Sequence, residues 1–511
     1  MGFFLGIDVG TQSIKGILID PLSGKFSAPV AVNYGKELEK YGSPDGFLPS
    51  KDPALRHADP LMWLDALDML LGKMQKIGLP MEQVCGISGS GQQHGTVYLN
   101  EYFTEALAAL KPEYTLAQQL ASSLSRKTAP IWMDASSSIQ CAKLQEKFKH
   151  SLKSKTGSNA AERFSGPQIM KFAMEQEEEW NKTVHIHLVS SFMASVLAGK
   201  PMPIDYGDGA GMNLLNLNTL AWDQEIVAFT APDLEKKLPH CTASTCVAGK
   251  LAPYFAKYGL RPGIGVNVWS GDNPNSLIGC GCVDNTSAMI SLGTSDTFSG
   301  IVENFADAPK KNGHIFGCPS GGFMSLICFT NGSLTRDYFR KKYALSYEEF
   351  DTAASAAAPG KYQMLPFLTA ESTPQLSKPA MFYNFDHNQV TAGEFIRALI
   401  ESQLLNMLYH AELTRKPAQI RLTGGASAST LLRQMIADIF QTPVMVGASA
   451  ETAALGSAMR AANSIGGISF EKLTERFCKV EKIIYPNAAL EDKYIMALQN
   501  FAQLLHAHYR N

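Results

Sequence analysis

A chain of 511 residues is too long for one hydrophobic core and predicts two domains of roughly 250 residues each. Hydrophobic residues at 45%, charged at 18% and aromatic at 9% are the proportions of a soluble globular protein, and a net charge of −2 supplies no basic stripe for nucleic acid. The nine cysteines are scattered, odd in number and without a Cys-x-x-Cys pair, which offers no zinc-finger spacing and fits a reducing cytoplasm.

At the N-terminus the chain reaches Asp8 too early for a signal peptide, and Gly2 lacks the Ser or Thr that a myristoylation signal needs. No apolar run approaches the ~20 residues of a membrane span. The expectation is a soluble, cytoplasmic protein with neither membrane nor nucleic acid as a partner. The first structured stretch, Leu5 to Asp20, sets two apolar runs around Gly10-Thr11-Gln12-Ser13 and predicts a β-hairpin with a small polar tip. Gly10 lets a phosphate approach the backbone, Thr11, Gln12 and Ser13 can donate hydrogen bonds to it, and Lys15 supplies positive charge. Asp8, a carboxylate inside an apolar strand, is costly to bury without a partner such as a hydrated Mg²⁺. An ordinary hairpin at a domain's edge accounts for this stretch equally well.

Gly42 to Pro60 reads as a long loop, after which Asp59 caps a helix, Pro60 opens it and Leu61, Leu64, Leu67, Leu70 and Leu71 recur at helical spacing. The strand Val84–Ser88 then runs into Gly89-Ser90-Gly91-Gln92-Gln93-His94-Gly95. A loop so rich in glycine has little packing to do, and its two amides and imidazole can line a cleft and bind hydroxyls, or it is only a solvated hairpin loop. Ile131 to Asp134 reads as a short strand before a helix that begins in Ser136-Ser137-Ser138, so Asp134 either faces a hydroxylated ligand or caps that helix. Arg163, in a turn, reads by itself as a surface cation, and His185 and His187, alternating on a strand without carboxylate or cysteine partners, read as structural histidines. Gly259 to Gly265 is the expected interdomain connection. Beyond it the strand Val266–Trp269 delivers Ser270-Gly271-Asp272-Asn273-Pro274, where Pro274 is expected at the first helical position and Asp272 at a strand-to-helix junction. There it either caps the helix or serves as a base next to a domain boundary.

Met289 to Phe298 repeats the grammar of the first hairpin: apolar strand, Gly293-Thr294, small polar tip, return strand. One such unit in each half predicts two domains of one design. Ser291 stands where the first copy has Asp8, an asymmetry that suits a nucleotide between two related lobes. The strand Pro417–Leu422 then delivers Thr423-Gly424-Gly425-Ala426-Ser427 to a helix start, which can accept a flat base or a phosphate or can be only a tight turn. Glu451 to Ala462 is a helix of very small residues suited to close packing against that turn.

Taken together, Asp8–Ser13, Gly91–Gly95, Ile131–Asp134, Glu162–Gly166, Ser270–Pro274, Leu292–Ser295 and Thr423–Ser427 resemble, in order, the motifs of the FGGY family of carbohydrate kinases. The resemblance covers residues 5 to about 462. It implies an α/β protein of two ribonuclease-H-like domains of the actin and hexokinase type around a central cleft, here divided as 1–264 and 265–511. By that resemblance Asp272 is the catalytic base, and Gln93, His94, Arg163 and Asn273 hold the sugar. Gly10, Thr11, Gln12 and Lys15 join Gly293 and Thr294 around the phosphates of ATP, with Mg²⁺ near Asp8. Gly424 and Gly425 border the adenosine with Ser429, which stands where some relatives have Asn, and Tyr347 corresponds to an aromatic near the adenine in some members. The expected reaction is ATP-dependent phosphorylation of a ketopentose, D-xylulose before others. The alternatives are a kinase for ribulose, glycerol or sedoheptulose, or a non-catalytic actin-like relative that binds ATP. The partners implied are a small sugar and ATP, with a homodimer left open and sugar-driven closure expected about Gly259–Gly265.

Overall fold

The computed structural model describes residues 2–309, 311–412, 415–447 and 451–509. The chain packs as two compact units. The first comprises residues 1–283, 315–324 and 451–478, and the second comprises 284–314, 325–450 and 479–511. These units are cut differently from the sequence halves 1–264 and 265–511, because residues 265–283 and 451–478 pack with the first.

The first unit is built on the expected hairpin. Strand Phe3–Val9 pairs antiparallel with Ser13–Asp20, placing Asp8 opposite Lys15, and on its other side pairs parallel with Val84–Gly91, placing Asp8 beside Ser90. Side chains alternate across a strand, so Leu5, Ile7 and Val9 join the core under helix Pro60–Lys76, while Phe4 and Gly6 face helix Thr452–Ser464. Asp8 continues the second face. Helix Pro60–Lys76 forms as its spacing predicts: the Asp59 carboxylate accepts from Leu61 N at 2.8 Å, Pro60 opens the helix, and Leu64, Leu67, Leu70 and Leu71 are buried. Each of those leucines contributes about 1.5–3 kcal/mol relative to exposure.

Four readings of the sequence change here. Gly259–Gly265 is no free connection: Gly263 N and Leu251 N bond to Leu251 O and Ile264 O, and Gly265 pairs with both Lys250 and Gly86 inside the first unit's sheet. Helix Asp272–Gly279 starts at Asp272 with Gly271 as its N-cap, which puts Pro274 third. Only Ala129–Pro130 is strand before Asp134, with residues 132 and 133 in a turn, while the next helix begins at Ser138, within the expected start. Finally, the small-residue helix Thr452–Ser464 lies against the first unit's hairpin and helix Asp272–Gly279, not against Gly424–Gly425. His185 and His187 are structural as expected: strand His185–Leu188 pairs with Thr96–Leu99, and buried His187 Nδ1 lies 3.1 Å from Ser191 Oγ.

The second unit repeats the plan. Strand Ser287–Leu292 pairs antiparallel with Asp296–Val302 and parallel with Gln419–Thr423, which pairs parallel with Val444–Gly447. Hairpin, then two parallel strands, is the order of both units, and the fold is the doubled ribonuclease-H-like architecture. Helices Ala392–His410 and Thr430–Phe440 contribute buried faces to one apolar core with this sheet. Among the described residues no helix is long and apolar enough to cross a membrane.

Candidate active site

Two carboxylates meet in the first unit. Strand Phe3–Val9 brings Asp8 to the sheet's carboxyl end, and Ser90 Oγ donates to its Oδ1 at 2.7 Å. Two-residue strand Ser270–Gly271, parallel to Gly91 and its neighbours, delivers Asp272 as the first residue of its helix. Burial raises the Asp8 carboxyl to about 6 against the pull of Ser90 and Lys15. Burial and then the negative charge of Asp8 raise Asp272 to about 7, although backbone N–H groups of Asn273 and Gln93 favour its ionised form. A carboxylate poised near neutrality, on a helix N-terminus, can take a proton from a hydroxyl and hold it. Asp8, whose negative charge raises its neighbour's affinity for protons, also suits a divalent cation.

The loop before Asp272's neighbours supplies hydroxyl-binding groups. Gln93 Oε1 accepts from Asn273 Nδ2 at 2.9 Å, and Asn273 N and Nδ2 both donate to Asp272 Oδ1, at 2.9 and 3.2 Å. Gln93 is buried and its Nε2 has no partner among the described residues, a state costing about 1–3 kcal/mol that a ligand oxygen would relieve. Gly271 is required here, since a Cβ would lie 2.4 Å from Gln93 Cγ. His94 sits at φ +70, a left-handed backbone costing a non-glycine residue roughly 1–2 kcal/mol. Its ring packs 4.6 Å from that of Phe164, and its Nδ1 lies 3.0 Å from Gly211 O. A carbonyl only accepts, so Nδ1 carries the hydrogen and Nε2 is left as an acceptor. Burial, then the charge of Arg163, lowers the imidazole to about 3, so His94 is neutral at physiological pH. Arg163 lies in the turn before helix Ser165–Glu175, with its guanidinium 5.6 Å from the Phe164 ring. The turn at the hairpin tip is braced: Gly10 N donates to Ser13 O, Trp132 Nε1 donates to Thr11 Oγ1 at 2.8 Å, and Gly46 presses so closely on Thr11 O that a Cβ would lie 1.8 Å away. Gln12 is exposed.

Two neighbouring groups are committed elsewhere. Lys15 Nζ is ion-paired to Glu451 at 2.6 Å, a partner 436 positions away. Asp134 accepts from Arg56 N, Ser136 N, Ser136 Oγ and Gln168 Nε2. Burial opposes its ionisation, yet those bonds together with His57 hold it below the usual carboxylate range. It is held by structural partners in the turn before the helix but does not cap it, since Ser137 is the N-cap residue of helix Ser138–Phe148.

The second unit holds a cavity of about 860 Å³ lined by Gly293, Thr294, Gly425, Ser429 and Tyr347, among others. Gly424, at φ +87, backs it, and a Cβ there would lie 2.5 Å from Leu292 O. Gly425 has nothing within 4 Å of where its Cβ would be, so its backbone forms a bare flat wall. Ser429 caps helix Thr430–Phe440 by accepting from Leu432 N at 3.1 Å, and its hydroxyl donates to Asp351 Oδ2 at 2.6 Å. That single hydrogen is spent inside the protein. The Tyr347 ring is 72% exposed and covered on one side by the Arg340 guanidinium at 4.2 Å, which in turn is held by Asp337. Arg336, Asp337, Arg340 and Asp351 also line the cavity and carried no signal in the sequence, because their shared wall is made by helices far from the glycine turns in the chain.

The N-terminal domain of the FGGY family of carbohydrate kinases matches residues 117–279, and the C-terminal domain of that family matches residues 288–465. A xylulose kinase of Mus musculus is 36% identical over 98% of this chain and 93% of its own length. Xylulose kinase 2 of Arabidopsis thaliana is 36% identical over 90% and 87%. The solved structure of ligand-bound xylulose kinase from Lactobacillus acidophilus shares the fold, with a TM-score of 0.82 over 99% of this chain and 98% of that one at 21% identity.

Proposed function

The chain belongs to the FGGY family of carbohydrate kinases, and from that premise we propose that it transfers the γ-phosphoryl group of ATP to a ketopentose, converting D-xylulose to D-xylulose 5-phosphate. The observation that carries this reading is Asp272, poised at about 7 and bonded to Asn273, which bonds in turn to Gln93. Asp272 takes the proton of the sugar's primary hydroxyl as that oxygen attacks the γ-phosphorus. The new O–P bond forms as the bond from the γ-phosphorus to the β,γ-bridging oxygen breaks, and ADP leaves. Gln93 Nε2 donates to a sugar oxygen, Asn273 holds the carboxylate's rotamer, and His94 Nε2 accepts from a second sugar hydroxyl, with Arg163 flanking the ring. In the first unit Gly10, Thr11 and Gln12 form a phosphate-binding turn; in the second Gly293 and Thr294 form another, and Gly425 faces the base with Gly424 behind it and Ser429 bordering it. Asp8 would hold Mg²⁺, which neutralises charge on the transferring phosphoryl group. With Glu451 on its ammonium, Lys15 sets the field at Asp8 more than it grips phosphate.

The test is ADP release from Mg·ATP across a panel of ketoses and polyols. The expected result is a kcat/KM for D-xylulose at least tenfold above the others. A higher value for ribulose, glycerol or sedoheptulose would keep the kinase and replace the substrate. Silence across the panel with ATP still bound would overturn the enzyme reading in favour of a non-catalytic relative.

A further inference from the structure

Helix Thr452–Ser464 carries a guanidinium that nothing in the reaction uses. Arg460 is 1% exposed, and among the described residues no carboxylate forms an ion pair with it. Its acceptors are carbonyl and amide oxygens: Val268 O at 2.7 Å, Ser244 O at 2.8 Å, Gly89 O at 3.3 Å and Asn275 Oδ1 at 3.1 Å. Burying a cation among neutral dipoles costs more than an apolar side chain of the same size would, so the gain has to lie in what the fork holds together. Gly89 belongs to the strand that leads into Gln92, Gln93 and His94, and Val268 lies two residues before the strand that delivers Asp272. Asn275, fully buried, continues the chain of bonds: its Nδ2 donates to Gly271 O at 2.7 Å, one residue before Asp272.

The helices carrying Asn275 and Arg460 have no freedom to slide. A Cβ on Gly456 would lie 1.9 Å from Asn275 O, and one on Gly279 1.9 Å from Thr452 O, so the two helices touch through their backbones. Ser457, one turn before Arg460, donates its one hydrogen to Ala453 O at 2.8 Å and lies 3.3 Å from both Asn275 Oδ1 and Ser90 Oγ, and Ser90 is the donor to Asp8. One polar seam thus runs between the two carboxylates.

We infer that Arg460, acting through Asn275, is a positioning residue for the proton transfer: it fixes the amide that holds the carbonyl before Asp272 and so sets the angle at which that carboxylate meets a hydroxyl. This rests on Asp272 being the base. Ser244 Oγ also donates to buried Asp205, whose charge supports the Arg460 cation.

The test is a double-mutant cycle on the full chain with Asn275→Ala and Arg460→Lys, reading kcat, both KM values, the pH profile of kcat/KM and the melting temperature. Asn275→Ala is expected to lower kcat tenfold or more and displace the pH profile, with the KM for ATP within twofold of wild type. Arg460→Lys is expected to lower kcat severalfold alone and to add nothing in the Asn275→Ala background. Effects on kcat that multiply, or a loss of melting temperature with kcat and pH profile unmoved, would overturn the inference. If Asn275→Ala does not fold, Asn275→Ser, which keeps a donor of smaller reach, replaces it in the cycle with the same criteria. Asp272→Asn separates the two readings. An inactive Asp272→Asn beside a multiplicative cycle overturns the positioning role alone, and an Asp272→Asn variant with wild-type kcat overturns both.

Discussion

Asp272 carries opposite demands, and they can be read separately. As a base it has to be ionised, so kcat/KM should climb about tenfold per pH unit below 7 and level off above it. As a buried group it is better neutral. Its carboxyl binds a proton more tightly in the folded chain than in the unfolded one, where 3.8 applies, so its contribution to stability is full below about pH 4 and is lost as pH rises through about 7. Asp272→Asn, an isostere of the neutral acid, should therefore melt higher than wild type at pH 8 and nearly level with it at pH 4, while losing about 10²–10⁴ of kcat. A lower melting temperature at pH 8 would mean that the ionised carboxylate has a fixed cation the structure does not show. Asp8, Asp272, Gln93 and Asn273 could be found from sequence because carboxylates and amides stand out against glycine-rich turns and apolar strands. The pairing of Lys15 with Glu451, and the commitment of Asp134 to Arg56, Ser136 and Gln168, could not, since both are settled by partners that only folding brings near.

At the level of elements, what local chemistry specifies was legible and what tertiary contact specifies was not. Both hairpins and helix Pro60–Lys76 form where alternation, turn residues and capping put them. The short strand expected at Ile131–Asp134 does not form, because Asp134's hydrogen bonds to Ser136 and Arg56 hold the chain in a turn. Helix Thr452–Ser464 was recognisable as one made for close approach, but small residues say nothing about which surface approaches. Its surface is Gly6 and Gly279, and the fit leaves no room for a methyl group. Gly456→Ala puts a Cβ 1.9 Å from Asn275 O and 2.8 Å from Gly279 N, both backbone, which cannot swing aside as a side chain could. Overpacking of this kind costs about 1–3 kcal/mol, and this site belongs at the upper end. The denaturant midpoint should fall accordingly and kcat should fall with it, because Asn275 is what the methyl displaces. A variant with the wild-type midpoint would show the helices free to separate.

For the whole molecule, the doubled plan explains a division of labour. Each unit presents a hairpin tip and a parallel strand beside it, but the first places Asp8 in its hairpin strand where the second places Ser291, opposite Thr297. Carboxylates, amides and the imidazole gather in the first unit, while a bare glycine wall, an exposed tyrosine and a cavity of about 860 Å³ gather in the second. If the first unit holds the sugar and the second the nucleotide, one substitution in each should move one KM and spare the other. His94→Ala removes the neutral acceptor at Nε2 and should raise the sugar KM tenfold or more with the KM for ATP within twofold. Gly425→Val should do the reverse: nothing lies within 4 Å of its Cβ position, so the unit still folds, but the side chain intrudes where a base would lie flat. Gly424→Ala would be a poor substitute, since its Cβ would strike Leu292 O and disturb the neighbouring Gly293 turn as well. Steady-state kinetics with each substrate varied at saturating concentrations of the other decides the matter. A Gly425→Val variant whose sugar KM rises as far as its ATP KM would place both substrates against the second unit, and would remove the reason for reading the Asp8-to-Ser291 difference as functional.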